Sequence, residues 1–124
     1  MITETTPRSV EEALRWQLDR IGSSAWEGWA LRFQRLAFGY AGEAGWRHCS
    51  EAFDWFRGHD LLSDGAPPRG ALAWFRVGET ITVRSGLGDG EVIGPGVNGR
   101  IGVIDHEDLG RYLGWTSAIF PFAR

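Results

Sequence analysis

Lysine is absent from this chain: all thirteen of its basic residues are arginine. Arginine forms forked contacts to carboxylates that lysine cannot match. Against sixteen acidic residues the thirteen arginines leave a net charge of −3. That balance lacks the cationic excess through which nucleic-acid binders release counterions. A nucleic-acid partner is therefore not expected. Cysteine is nearly absent as well. The single Cys49 excludes an internal disulfide and a cysteine-rich zinc site, and no metal or cofactor is implied. No apolar run approaches the roughly 20 residues of a bilayer-spanning helix, so no membrane partner is expected. Residues 1–8 are polar and lack the apolar segment of a Sec-type leader. The cytoplasm is the default expectation, with export in a phage particle or by a specialised machine left open. No internal repeat or low-complexity stretch is present.

What is present suits a globular domain. Hydrophobic residues make up 43% and aromatic residues 13% of the 124 residues, with seven tryptophans. That is enough for one core without staples. The expected organisation is a flexible arm over residues 1–8 and a single domain over 9–124. Ser9-Val10-Glu11-Glu12 has the form of a capping box. It opens a first helix with Val10, Ala13, Leu14, Leu18 and Ile21 near one face and Gly22 as its stop. A second helix is expected over 25–38, closed by Gly39, with Ala30, Phe33, Leu36 and Ala37 at helical spacing. A third is expected over 46–57, with Ala52, Phe53 and Phe56 inward and Gly58 closing it. Residues 63–70 read as a loop. Strands follow over 71–76, 80–85, 91–93 and 100–104, with a tight turn at Gly88-Asp89-Gly90 and a break at Gly94-Pro95-Gly96. A short helix is expected over 107–113, and the tail, 115–122, packs back. Helices first and an antiparallel sheet second is an α+β arrangement.

Four segments carry a resemblance. They are Trp26-Glu27-Gly28-Trp29-Ala30-Leu31-Arg32-Phe33; Pro67-Pro68-Arg69-Gly70-Ala71-Leu72-Ala73-Trp74-Phe75; Leu87-Gly88-Asp89-Gly90-Glu91-Val92-Ile93; and Tyr112-Leu113-Gly114-Trp115-Thr116-Ser117-Ala118. In order and spacing they resemble the CHAP and NlpC/P60 group of papain-like cysteine amidases, the last one resembling some actinobacterial and phage members. The resemblance implies a papain-like fold of N-terminal helices on a small antiparallel sheet. It also implies a cysteine at a helix N-terminus, activated by a histidine on the facing strand. A helix N-terminus and an imidazolium both lower a thiol pKa, and the thiolate attacks. Here the cysteine position falls on Ala30. Counted back from the Gly88-Asp89-Gly90 turn, the histidine position falls on Thr82. Both halves of the dyad are missing.

Other residues offer chemistry, each beside a plainer reading. Cys49 follows His48, but neighbours on a helix diverge by about 100° and make poor partners; a buried, inert thiol is the simpler account. Ser24 suits an N-cap, with Glu27 completing a capping box, better than a nucleophile. His59-Asp60 and Asp105-His106 pair imidazole with carboxylate, as a general base or as solvated loop residues. His106 is the stronger candidate, since it follows the last strand near the cleft of the resembling fold. Glu79 and Asp89 stand in turns, as acid–base candidates or as turn residues. Trp26, Trp29 and Trp74, with Ala30 and Thr82, are expected to wall the groove, the alternative being core packing. Arg32 and Arg35 either hold a carboxylate or form a solvated face.

The resulting expectation is a catalytically degenerate amidase-like domain. It would use the vestigial groove to bind a peptide-like or small polar ligand, or a protein partner. One alternative is an enzyme of another class with His106, Glu79 or Asp89 as acid or base, performing acid–base, cyclisation or isomerisation chemistry in a biosynthetic pathway. Another is a peptidoglycan amidase or endopeptidase whose cysteine at position 30 has been exchanged for alanine.

Overall fold

Ser9 begins the helical layer as its sequence demands: its hydroxyl accepts from the Glu12 N–H, and the Glu12 carboxylate accepts from the Ser9 N–H at 2.9 Å. In the computed structural model, which describes residues 6–124, this box starts α1, Val10–Leu18. Ala13 and Leu14 are buried, whereas Val10, Leu18 and Ile21 of the expected apolar face stay exposed. Gln17 is buried in their place. Helix α2 is Ala30–Ala37 and α3 is Cys49–Gly58. Both are shorter at the start than expected. Gly28 takes a positive φ of 81°, which breaks the helical path before Ala30. Ser24 is not an N-cap; the neighbouring Ser23 hydroxyl instead accepts from Ala25 N–H at 3.3 Å. Ala52, Phe53 and Phe56 face the core of α3 as expected.

Of the expected arm, residues 1–5 lie outside the described residues. Residues 6–8 are held down: Arg8 Nη1 donates to Leu36 O at 2.7 Å and Ala37 O at 3.3 Å, and Arg8 N–H donates to Phe38 O. These bonds satisfy orphan carbonyls at the end of α2, where a cation is also favoured.

Five antiparallel strands follow: β1 Leu72–Val77, β2 Thr80–Gly88, β3 Glu91–Val97, β4 Arg100–Asp105 and β5 Arg111–Thr116. They are ordered β4-β3-β2-β1-β5. The expected break at Gly94-Pro95-Gly96 is instead the irregular end of β3, which pairs with β4 through Gly94–Gly102 and Val97–Arg100. Where a helix was expected over 107–113 there is a single 3₁₀ turn, His106–Asp108, and then β5 on the free edge of β1. The fold is thus α+β. Beyond β5 the tail returns to the body, burying Ile119 and Phe120.

Alternation along β1 divides the interior. Leu72 and Trp74 point to the helices and join Phe53, Phe56 and Val83, while Ala73 and Phe75 point to the other face, over Val92 and Leu109. Across the helix–sheet junction Gln17, Gln34 and Ser85, all fully buried, close a ring of hydrogen bonds. Gln34 Nε2 donates to Gln17 Oε1 at 3.1 Å, Gln17 Nε2 to Ser85 Oγ at 2.9 Å, and Ser85 Oγ to Gln34 Oε1. Buried amides are tolerated because they are paired. Among the described residues no helix is long and apolar enough to cross a membrane.

Candidate functional site

Two helix starts and one parting of strands make a groove. Helices α2 and α3 both begin without a side-chain cap, from Trp29 and His48, and both ends border the same open cavity of about 1270 Å³. Its far wall is the β1–β2 hairpin with the end of β3. Strands β2 and β3 pair at Gly88–Glu91, Gly86–Val92 and Ser85–Ile93 and then separate, which leaves β2 from Arg84 back to Thr80 unpaired on that side.

Ala30 is the first residue of α2, half-buried, and borders the groove as expected. Thr82 borders it too, but the two do not face each other squarely. In the β1–β2 register Thr82 lies opposite Phe75, on the face away from the helices, and Val83 lies opposite Trp74. Ala30 packs against the core that contains Val83 and Ile81. Counting back from the turn misjudged the phase of β2, because β2 carries a bulge between Gly86 and Gly88. One inserted residue reverses the side to which every earlier residue points.

Trp29 is 54% exposed on the groove, with the Arg32 guanidinium 5.6 Å from its ring centre. Arg35 also lines it, but its Nη1 is committed to the Tyr40 carbonyl at 2.9 Å. Trp26 and Trp74 do not wall the groove. Trp26 packs on Trp16 and Phe33, with ring centres 5.9 and 5.2 Å away. Trp74 is 0% exposed in the core and donates its indole N–H to Thr116 Oγ1 at 3.0 Å.

Of the three acid–base candidates the groove holds only Glu79. Asp89 sits at the tip of the β2–β3 hairpin with a φ of 54°. His106 lies beyond the opposite face of the sheet, its Nδ1 2.8 Å from the Gly90 carbonyl and its ring edge-on to Tyr112. With Asp105 and Glu107 it brings three potential metal-donor atoms within 4.8 Å of one another. Two of those side chains are already engaged locally: His106 by the Gly90 carbonyl, and Asp105, whose Oδ1 accepts from the Glu107 backbone N–H at 2.8 Å and starts the 3₁₀ turn. His59 serves the end of α3, its Nδ1 2.8 Å from Trp55 O and its ring stacked on Trp55.

Cys49 borders the groove at the first turn of α3, packed against the same core as Ala30. Burial pushes its thiol up to about 11, outweighing the nearby Arg84 charge and the surrounding N–H groups. At neutral pH it is a thiol, not a nucleophilic thiolate.

The residue that sequence reading missed is Arg84. It is 4% exposed, in the gap left by the parting strands. Its Nη1 donates to Thr82 Oγ1 at 2.6 Å and to Val83 O at 2.8 Å. Gly94 and Gly96 make room for it: a Cβ on Gly94 would stand 2.3 Å from Arg84 Cδ, and one on Gly96 2.8 Å from Nη2. Arg84 forms no ion pair among the described residues, and its Nε is buried without a partner. Glu27, across the groove, is engaged with the Gly96 N–H at 3.2 Å. Burial holds the guanidinium down to about 10, still a cation at neutral pH. The signal was faint but present: an arginine mid-strand, flanked by Val83 and Ser85, in a pattern that alternates inward and outward.

Comparison with known proteins finds no matching family model, and neither a curated protein nor a solved structure matches significantly.

Proposed function

We propose that this chain is a papain-like domain of the NlpC/P60 or CHAP type that has lost its thiol–imidazole machinery and binds, without hydrolysing, a peptide-like or small polar ligand in the inherited groove. One observation carries the reading: α2 opens onto the groove with Ala30, and the β2 residues packed into the same core, Ile81 and Val83, are aliphatic. A methyl group cannot attack a carbonyl, and neither Ile81 nor Val83 supplies an imidazole from the facing strand to act as base. Helices preceding the sheet support the assignment, as does a helix N-terminus aimed at the cleft. An exposed tryptophan beside convergent polar groups is what a binding cleft offers a small ligand.

The test is a thermal-shift screen of small peptides and amino-acid derivatives alongside an amidase assay. A binding module gives ligand-dependent stabilisation without turnover, as mass action requires. Turnover by the native chain that disappears in Glu79→Ala would overturn the reading in favour of acid–base catalysis.

A further inference from the structure

The groove described above contains a buried cation that no carboxylate pairs with directly among the described residues; Glu27 acts on its charge only from beyond ion-pair distance. Taking an ion out of water costs several kcal/mol unless partners replace the lost solvent. Arg84 has replaced only part of it. Nη1 is satisfied by a hydroxyl and a carbonyl, both neutral. Nε has no partner, and none of the hydrogen bonds among the described residues uses Nη2. The adjacent thiol of Cys49 stays protonated and supplies no counter-charge. Glu27 favours the charged guanidinium from a distance but forms no ion pair with it; its carboxylate accepts from the Gly96 N–H instead.

Two independent features point the same way. The groove's lining holds six arginines against four carboxylates, a positive balance in a chain whose net charge is −3. The starts of α2 and α3, which have no side-chain cap, both border this cavity and bring the positive ends of their dipoles to it, whereas α1, away from it, carries a capping box. Glycine at 94 and 96 keeps β3 clear of the guanidinium, so the space beside Nη2 is open backbone rather than side chain.

We infer that Arg84 is the receptor for an oxyanion, a carboxylate or phosphate group of a small ligand, seated in the gap between β2 and β3. The inference rests on the binding reading above and gives that ligand its chemical class. Charge-assisted hydrogen bonds of this kind are short and about twice as strong as neutral ones. The ligand's anion completes the cation, and Trp29 at the rim covers its apolar part.

Amide NMR titration tests this with four probes: acetate, inorganic phosphate, an alanine tripeptide with a free C-terminal carboxylate, and the same tripeptide N-acetylated and C-amidated. The expected result is a shift of the Gly94 and Gly96 amides and the Trp29 indole with the free-acid peptide or with phosphate. The capped peptide should bind at least tenfold more weakly. Peptide over phosphate identifies a carboxylate ligand, and the reverse a phosphate. Arg84→Gln should abolish the preference, with circular dichroism checking its fold. Should Arg84→Gln not fold, the comparison between free and capped peptide on the native chain still decides. Equal binding of both peptides would overturn the oxyanion inference and leave the groove-binding reading standing. Absence of any shift with all four probes at tens of millimolar would overturn the inference, and failure of the ligand screen above would overturn the reading beneath it.

Discussion

Arg84 and Cys49 share one locality and make opposite demands on it. Burial moves the guanidinium from 12.5 down to about 10. At about 1.4 kcal/mol per unit that costs the native state on the order of 3 kcal/mol below pH 10. Arg84→Met removes this cost but strands the Thr82 hydroxyl and Val83 carbonyl. A net gain of about 1 kcal/mol is expected in urea denaturation at pH 7, together with loss of anion binding, a trade between stability and function. For Cys49 the folded thiol titrates near 11, above its ordinary 9. Between those values the unfolded chain has released a proton that the folded chain keeps, so stability falls as pH rises past 9. Above pH 10 the relief of Arg84 acts in the other direction. Native protein should therefore lose about 1 kcal/mol between pH 9 and 10. Cys49→Ala should flatten that slope, as denaturation at pH 8, 9 and 10 would show. The exchange Ala30→Cys places a thiol at an uncapped helix start, which lowers its pKa. It should react with a thiol reagent at pH 7, where Cys49 does not, yet show no amidase activity, because the strand residues packed beside it, Ile81 and Val83, supply no base.

Each element succeeds or fails by how far its local sequence agrees with its packing. The capping box of α1 and the inward Phe53 and Phe56 of α3 were legible because caps and helical spacing are short-range facts. The continuation of β3 through Gly94-Pro95-Gly96 was not. Those residues signal a turn in isolation and do form an irregular kink, with Gly96 at a φ of 92°; the strand resumes only because Gly94 and Val97 pair with β4 on either side. The same holds for β5, whose residues fit a helix or a strand until the bare edge of β1 decides. The Gln17–Gln34–Ser85 ring joins three elements that are far apart in sequence. Ser85→Ala leaves a buried amide N–H and a buried carbonyl unpaired and should cost about 1–3 kcal/mol. Replacing the whole ring, Gln17→Leu with Gln34→Leu and Ser85→Ala, should cost less than the single change, because nothing polar is then stranded. Chemical denaturation of the two variants side by side measures the difference.

At the scale of the whole molecule, four of the seven tryptophans show how burial divides them. Trp74 is sealed in the main core, Trp16 and Trp26 pack with Phe33 at the second core, and Trp29 remains more than half exposed at the groove. Trp29→Ala should therefore leave stability within about 0.5 kcal/mol. It should weaken any groove ligand and reduce the ligand-induced change in tryptophan fluorescence, leaving what Trp46 in the same lining contributes. A ligand present at 100 times its Kd should stabilise the native chain by about 2.7 kcal/mol, and the Trp29→Ala variant measurably less at the same concentration.

Alone, the order of residues settled the class of the fold, the helices before the sheet, the first cap and the alanine at position 30. These follow from chain-local chemistry: spacing, turn composition and side-chain identity. Which face Thr82 occupies, whether Trp74 is wall or core, and that Arg84 lies beside a cleft with no ion pair among the described residues were decided only on folding. A strand's phase depends on a bulge several residues away, and a charge becomes buried only when remote strands part around it.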